Sequence, residues 1–324
     1  MSINPVRHRH RSEIIGYLPL IIFAGVLLYI GLNAPNFLTF RNLELILMQS
    51  LPTMLVCAGL GVVVMAGGDD VVSGGIDLSI PATAVLSAGT TAVMLTQGYP
   101  LIVCAFVAFL ACMIVGFLNA ALVTRIGMTP LLTTLAMFVA VVGVNNVITS
   151  SRRINVDHPL IVALRSQDVF GIPLGIAVVA VVLVIIYFAT HQTRWGLHLQ
   201  AAGGSRDAAE ISGLPVRWLL GQTFVLAAFT GFICGFFVLA RGSGSSPGVQ
   251  DNLMIEMILA TFLGAAFSVR RVVTMWGAVL GAVLVAAISI GFKSMGVNVF
   301  WTGLIKGSLI VIVVAFAALA RRGR

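Results

Sequence analysis

The stretch LIVCAFVAFLACMIVGFLNAALV, residues 101–123, contains no charged side chain and is long enough to cross a bilayer as a helix. A membrane-spanning helix needs about 20 consecutive apolar residues, because each residue adds about 1.5 Å and the hydrocarbon core is about 30 Å thick. A helix also pairs its own backbone groups, and lipid offers them no other partner. The stretch therefore predicts a transmembrane helix.

Comparable apolar stretches recur along the whole chain of 324 residues. The residues are 59% hydrophobic and 9% charged, with a mean hydropathy of +1.07, whereas about a quarter of the residues in a soluble domain are charged. A soluble fold of this length has too little interior to hide so much apolar surface. We expect an all-α, polytopic helix bundle of about ten spans, with the third and eighth short or broken, so that nine remain possible. The segments are residues 14–32, 47–66, 80–97, 101–123, 131–149, 172–190, 219–239, 253–267, 275–292 and 299–320.

The basic residues predict the orientation of the bundle. Arginine clusters precede the first apolar segment, at residues 7–11, and follow the last, at residues 321–324. Such clusters mark the cytoplasmic side of a membrane protein, so we expect both termini in the cytoplasm. Arg152 and Arg153 are discordant, because they would lie outside. The net charge of +8 thus reflects topology, and we expect no nucleic-acid partner.

The longest predicted inner connection, about residues 191–216, contains the pattern of a short capped helix. Two adjacent glycines are expected to break the chain, Ser205 to cap a helix that runs to Ile211, and Gly213 to end it. Such a helix offers a surface for another protein, although a solvated loop is the alternative, because two turns are marginal without tertiary contacts. The candidate coupling residues are Gly203, Gly204, Ser205, Arg206, Asp207, Ala208, Glu210, Ser212 and Gly213.

Three segments of the chain resemble segments of one protein family and occur in the same order as in that family. The pattern from Thr193 to Val216 resembles the coupling-loop region of the bacterial ABC permeases for ribose and related monosaccharides. SGGIDLS at residues 73–79 resembles that family's S/T-G-G-I-D-L-S signature, and residues 36–43 resemble its N-F-x-T-x-x-N-L segment. The likeness runs from about residue 35 to 320.

The resemblance implies a single permease domain, residues 1–324, in the bacterial inner membrane. Such a permease pairs with a second copy or a close paralogue, receives its sugar from a periplasmic binding protein, and is driven by two cytoplasmic ATPase subunits. Residues 303–308 lack the spacing of an ATP-binding loop, so we expect ATP and Mg²⁺ in the partner ATPase. For this chain we expect no enzymatic activity, cofactor or metal, and membrane lipid as its remaining partner.

The segment from Gly74 to Ser79 is a poor helix former. Its two glycines cost about 2 kcal/mol together relative to alanine, and Pro81 removes a further backbone donor. Unpaired backbone at membrane depth is tolerated only where it lines a cavity or is buried in protein. We expect a break in the helix at the inner end of the transport path, with Asp77 accepting hydrogen bonds from the next helix N-terminus. The candidate gate or path residues are Gly75, Asp77 and Ser79.

Two charged residues, Glu256 and Lys306, lie inside predicted spans. Charges there are costly, so we expect each to have a partner within the bundle, with substrate contact as the alternative. The other candidates for the substrate path also have structural alternatives, which are helix–helix hydrogen bonds for the amides and interfacial anchoring for the aromatic rings. These candidates are Asn145, Asn146, Phe300 and Trp301.

Other functions stay open at this point. An ion-coupled secondary transporter could use Asp77, Glu256 or Lys306 as its ion or proton site. An ABC permease of the same superfamily could carry a branched-chain amino acid or a nucleoside instead of a sugar. An intramembrane aspartyl protease is disfavoured, because the adjacent Asp69 and Asp70 point apart instead of facing each other. Whether these two aspartates lie in the membrane or in water also stays open.

Overall fold

The computed structural model of the chain describes residues 20–68, 74–169, 171–265, 267 and 273–322. Within these ranges the chain is helical almost throughout, so the all-α prediction is confirmed. The helices are α1 (described over Leu20–Asn33), α2 (Phe40–Gly67), α3 (Ile80–Thr96), α4 (Leu101–Ala121, continued by a π-helical turn at Leu122–Ile126), α5 (Pro130–Thr149), α6 (Pro159–Ser166), α7 (Leu174–His191), α8 (Arg194–Gly204), α9 (Arg206–Ile211), α10 (Val216–Gly242), α11 (Val249–Ala265), α12 (Met275–Ser294) and α13 (Val299–Arg322).

In the described ranges, two pairs of very short strands interrupt the helices. Strand β1 (Ile154–Asn155) pairs antiparallel with β4 (Gly244–Ser245), so that the segment after α5 is joined to the end of α10. Strands β2 (Asp168–Val169) and β3 (Ile172–Pro173) form the second pair, just before α7.

Six helices in the described part of the chain are long and apolar enough to cross a membrane: α2, α4 with its π-helical turn, α5, α7, α10 and α12. Shorter apolar helices occur at Leu20–Asn33, Ile80–Thr96 and Trp301–Ile312. The chain is therefore a multi-pass membrane protein. The third and eighth predicted segments are indeed short, because α3 and α11 each contain 17 residues. The number of crossings stays a prediction.

Tertiary contacts divide the chain into two compact units. The first unit comprises residues 1–50 and 255–324, and the second comprises residues 51–254. Helix α3 is the centre of the second unit, where it packs against α4, α5 and α10 and is buried continuously from Ile80 to Ala92. The most apolar windows of α4, α5 and α7 are only about a third buried, at 33%, 28% and 28%. These helices therefore present large apolar faces, which suit a lipid environment.

Small residues bring the central helices of the second unit close together. Gly235 of α10 lies against the Ser87 side chain and the Ala84 carbonyl oxygen of α3, and a Cβ atom there would overlap both. The Ser87 hydroxyl donates a hydrogen bond to the Phe232 carbonyl oxygen at 2.9 Å. Because lipid provides no hydrophobic drive between helices, such close packing and polar contacts hold them together.

The first unit packs two helices in the same way. Gly264 of α11 and Gly277 of α12 are in backbone contact, and Gly281 of α12 lies against the Ala260 carbonyl. The Thr274 hydroxyl caps α12 by accepting a hydrogen bond from the Gly277 N–H at 3.1 Å.

Candidate gate and coupling surface

The predicted break between the second and third apolar segments is confirmed. Helix α2 ends at Gly67, α3 begins at Ile80, and the described residues between them, 74–79, are not helical. The break begins in close contact with the end of α2, where the Gly75 N–H donates to the Gly68 carbonyl oxygen at 3.2 Å. Gly68 has a φ of +86°, the left-handed conformation that glycine adopts without strain at the end of a helix. Asp69 and Asp70, and Ser73 of the signature, lie outside the described residues.

Asp77 holds the start of α3, as predicted. Both of the hydrogen bonds that it accepts come from one residue, the N-cap residue Ser79. The Asp77 Oδ1 atom accepts hydrogen bonds from the backbone N–H of Ser79 at 2.8 Å and from the Ser79 hydroxyl at 2.6 Å. Asp77 and Ser79 are only 2% and 1% exposed. Ser79 is the N-cap residue of α3, and its side chain makes no capping hydrogen bond of its own. The aspartate thus closes a local turn at the point where the helix restarts.

Two further helices hold the break in place through residues that the sequence analysis missed. The Asn119 amide of α4 donates to the Ser79 hydroxyl oxygen at 2.8 Å. The Thr134 hydroxyl of α5 accepts a hydrogen bond from the Leu78 N–H at 3.1 Å. Both side chains are buried. Asn119 is the only amide in the apolar stretch 101–123, and that isolation is the signal that could have found it. Thr134 carries no comparable signal.

The predicted short capped helix is confirmed as α9, whereas its coupling role stays a prediction. The Ser205 hydroxyl accepts a hydrogen bond from the Ala208 N–H at 3.4 Å, Asp207 lies in the first turn, and Gly213 follows the helix with a φ of +82°. The predicted chain break follows the two glycines, at Ser205, because Gly203 and Gly204 complete the last turn of α8. Gly203 packs directly on the Met65 carbonyl, and this tertiary contact outweighs the low helix propensity of glycine.

Helix α9 projects from the second unit with most of its surface in the open. Ala209 is buried, whereas Ile211 is 89% exposed. The charged residues Arg206, Asp207 and Glu210 are exposed as well, together with Ala208 and Ser212. The Arg206 Nε atom lies 3.3 Å from the Glu210 Oε1 atom, one helical turn away. An apolar tip surrounded by charges is a surface that a second protein can bind.

The two charged residues of the predicted spans, Glu256 and Lys306, are partners of each other. The Lys306 Nζ atom lies 2.7 Å from the Glu256 Oε1 atom, and the side chains of Lys306 and Glu256 are 13% and 16% exposed, respectively. The expectation that these charges have partners within the bundle is therefore confirmed. The pair joins α11 to α13 in the first unit.

The four candidates for the substrate path lie in different environments. Asn145 is buried against Gly89 of α3, and its Oδ1 atom has no hydrogen-bond partner among the described residues. Asn146 is half-buried, and Trp301 is 60% exposed. The side chain of Phe300 lies outside what the structure describes. A path that includes these residues stays a prediction.

Arg153, which does not fit the predicted charge bias, has a structural role at the C-terminal end of α10. Its guanidinium donates to the Gly242 carbonyl oxygen at 2.6 Å and to the Ser246 hydroxyl at 3.0 Å. Arg165 of α6 donates to the Ser243 hydroxyl in the same turn. A positive charge is favourable at a helix C-terminus, where backbone carbonyl groups lack partners within the helix. Arg153 therefore caps the C-terminal end of α10.

Comparison with known proteins places these features in a family of transporters. A xylose transport system permease protein of Haemophilus influenzae is 30% identical to the chain over 148 residues, which are 46% of this chain and 40% of that protein. A fructose import permease protein of Rhizobium meliloti is 26% identical over 215 residues, with 61% and 57% of the two chains covered. An L-arabinose ABC transporter permease protein of Azospirillum brasilense is 26% identical over 206 residues, with 64% and 61% covered.

The matched part of the chain thus spans less than two thirds of these relatives. The chain matches no solved structure. The sequence profile of one family, described as the branched-chain amino acid transport system / permease component, matches residues 42–314, which include the break, α8, α9 and the Glu256–Lys306 pair. Because this match covers most of the chain, the protein belongs to that permease family.

Proposed function

We propose that this chain is the membrane-spanning permease subunit of an ATP-driven importer for a monosaccharide. The observation that carries the proposal is the position of α9, which projects at the same end of the second unit as the break at residues 74–79. Contact between Gly203, at the end of α8, and the Met65 carbonyl of α2 joins these two features. A movable gate beside a surface for a second protein is the arrangement that a permease driven by a separate ATPase needs.

In the proposed mechanism, two cytoplasmic ATPase subunits bind ATP and Mg²⁺ and close on each other. Each ATPase holds the exposed face of one α9 and displaces it. The Asp77–Ser79 turn keeps the start of α3 defined while the break moves, because both hydrogen bonds lie within three residues. The break thereby opens or closes the inner end of the path. Sugar is bound elsewhere, since Asp77 is engaged by Ser79.

The proposed substrate class rests on the relatives, whose names specify xylose, fructose and L-arabinose. The description of the family favours a second candidate, because it names branched-chain amino acids. A nucleoside is the third. Uptake of labelled pentose or hexose, in competition with unlabelled leucine or a nucleoside, separates these candidates.

We place the chain in the bacterial inner membrane with both termini in the cytoplasm. The proposed partners then bind different surfaces of the chain. A second copy or a paralogue and the surrounding lipid share the apolar faces of the spans. A periplasmic binding protein meets the end of the second unit that is opposite α9. An open cleft of about 400 Å³ lies there between α6 and the end of α10, and its lining includes Asp157 and Arg165.

Uptake energetics test the proposal against the ion-coupled alternative. In cells that express the complete transporter, ATP depletion with the proton gradient intact should stop uptake of the sugar. Collapse of the gradient with ATP intact should leave uptake running. The reverse result would identify a secondary transporter and overturn the proposal.

A further inference from the structure

Two backbone segments of the second unit, the ends of α8 and α2, meet at Gly203. A Cβ atom built on Gly203 would overlap the carbonyl oxygen of Met65, near the end of α2, and would lie 3.4 Å from the carbonyl carbon of Ala66. The Gly203 carbonyl oxygen in turn lies 3.3 Å from the position of a Cβ atom on Gly68. The last turns of α8 and α2 are therefore in direct backbone contact, with no side chain between them.

The end of α2 is in equally direct contact with the break. The Gly68 carbonyl oxygen accepts the hydrogen bond from Gly75, and a Cβ atom on Gly75 would overlap the Val63 carbonyl oxygen and approach the Gly67 Cα atom to 2.9 Å. Only Ile76 lies between Gly75 and Asp77. The contacts thus run without interruption from α8 through the end of α2 to the break.

Helix α8 is also held firmly at its other end. The Trp195 indole N–H donates to the Gln222 side-chain oxygen of α10 at 2.8 Å, and the Gln200 amide donates to the Thr190 carbonyl oxygen at 3.0 Å. Gly196 lies against the backbone of Thr190, so the turn from α7 into α8 is tight. Because α8 continues into α9 through the single residue Ser205, a displacement of α9 is passed to α8.

We propose that Gly203 is a positioning residue that transmits the movement of α9 to the break at residues 74–79, through the end of α2. The proposal rests on the proposed function, because it takes α9 as the surface that the ATPase moves. A contact between side chains can absorb a small displacement by a change of rotamer, whereas close-packed backbone atoms cannot. Gly203 and Gly75 provide this direct contact, and a side chain at either position would force the helices apart.

The first test compares two glycine-to-alanine substitutions in the complete transporter, purified with its ATPase subunits and assayed in proteoliposomes. Gly203→Ala should lower the amount of sugar transported per ATP hydrolysed by about tenfold, the usual size of a coupling effect, while the ATPase still co-purifies. The matched control is Gly143→Ala in α5. Gly143 also lies within a helix, but no atom of the described residues lies within 4 Å of the position that its Cβ atom would occupy. The control should transport like the wild type. Normal coupling in Gly203→Ala would overturn the proposal.

A second measurement keeps the test decisive if Gly203→Ala does not accumulate in the membrane. A cysteine in place of Leu78 reports on the break, and the four native cysteines are buried and contribute little background. With Gly203 intact, the rate at which a thiol reagent labels residue 78 should change about fivefold when ATP binds to the ATPase subunits. An unchanged rate would show that the break does not follow the ATPase, and it would overturn the proposal.

The Asp207→Lys substitution in α9 separates failure of this proposal from failure of the proposed function. If Asp207→Lys abolishes coupling while Gly203→Ala does not, α9 contacts the ATPase but its movement takes another route. If Asp207→Lys leaves coupling intact, α9 is not the contact, and both proposals fail.

Discussion

The carboxylate of Asp77 accepts two hydrogen bonds from one residue, Ser79, at the point where the chain returns to a helix. The Ser79 hydroxyl also accepts a hydrogen bond from the Asn119 amide, which ties this turn to α4. Both residues of the pair are almost completely buried. Asp77 therefore stabilises the start of α3, and we propose that in transport it holds the gate in shape.

Asp77→Asn should keep the substrate preference and lower the transport rate, because an amide oxygen can still accept from Ser79, though more weakly than a carboxylate. Asp77→Ala should be worse, since it leaves the buried Ser79 N–H without its acceptor at a cost of about 1–3 kcal/mol. Initial uptake rates, normalised to the amount of protein in the membrane, check this order. Wild-type transport by Asp77→Ala would show that the aspartate does not hold a gate.

Lys306→Met and Glu256→Leu should each destabilise the protein more than the double substitution does. Each single change leaves one charge of this largely buried ion pair without the opposite charge, whereas the double change removes both charges. Thermal unfolding of the four proteins in detergent gives the coupling energy of the pair. Transport by the double variant supplies a second readout. An ion-coupled transporter that uses this pair would lose all activity, whereas we expect an ATP-driven permease to retain it.

Arg153→Ala should lower the unfolding temperature by about 1–2 °C, the shift that corresponds to roughly 1 kcal/mol in a chain of this size. The substitution removes the guanidinium that binds the Gly242 carbonyl at the end of α10. Arg152→Ala is the matched control, because Arg152 is the neighbouring, likewise exposed arginine, and among the described residues its side chain makes no hydrogen bond to the end of α10. Equal unfolding temperatures for the two variants would contradict the capping role.

Cysteine labelling in intact cells should place α9 and α6 on opposite sides of the membrane. Arg165 of α6 contacts Ser243 after the end of α10, and Trp195 of α8 contacts Gln222 in its second turn. The part of α10 from Gln222 to its end at Gly242 separates these points by roughly 30 Å, at about 1.5 Å per residue. An impermeant thiol reagent should therefore label a cysteine at Ser166 and leave one at Ser205 unlabelled.

The same experiment includes the C-terminus, where a cysteine at Gly323 should also be shielded. Labelling of residue 323 from outside would require an odd number of spans and would undo the assignment of α9 to the cytoplasm.

Local signals in the sequence were sufficient to predict the break and the coupling helix. Glycines and a proline disfavour a helix at residues 74–79, and a serine cap with a following glycine defines α9, so each prediction depends on neighbours in the chain. For Glu256 and Lys306, the sequence predicted that each charge has a partner but not that they pair with each other. The cost of each charge indicates that a partner exists, but 50 residues separate the two and no sequence pattern joins them.

The role of Gly203 could not be predicted, because it depends on where α2 ends in space. In the sequence Gly203 and Gly204 are equivalent, and both indicate a break. In the structure Gly203 packs on the Met65 carbonyl. At Gly204, by contrast, no atom in the described part of the chain lies within 4 Å of the position that a Cβ atom would occupy. Asn119 and Thr134 were missed for the same reason, since their partners in the break lie 40 and 56 residues away.

The most direct test of the account measures sugar uptake and ATP hydrolysis together, in proteoliposomes that contain the permease, its ATPase subunits and the binding protein. The wild type and Asp207→Glu, which keeps the charge, should take up sugar only when ATP is hydrolysed. Asp207→Lys and Gly213→Val should stay in the membrane and lose uptake, because the first reverses a charge on the exposed face of α9 and the second strains its end. Uptake that continues without ATP, or normal substrate-stimulated hydrolysis and uptake in both variants, would contradict the account.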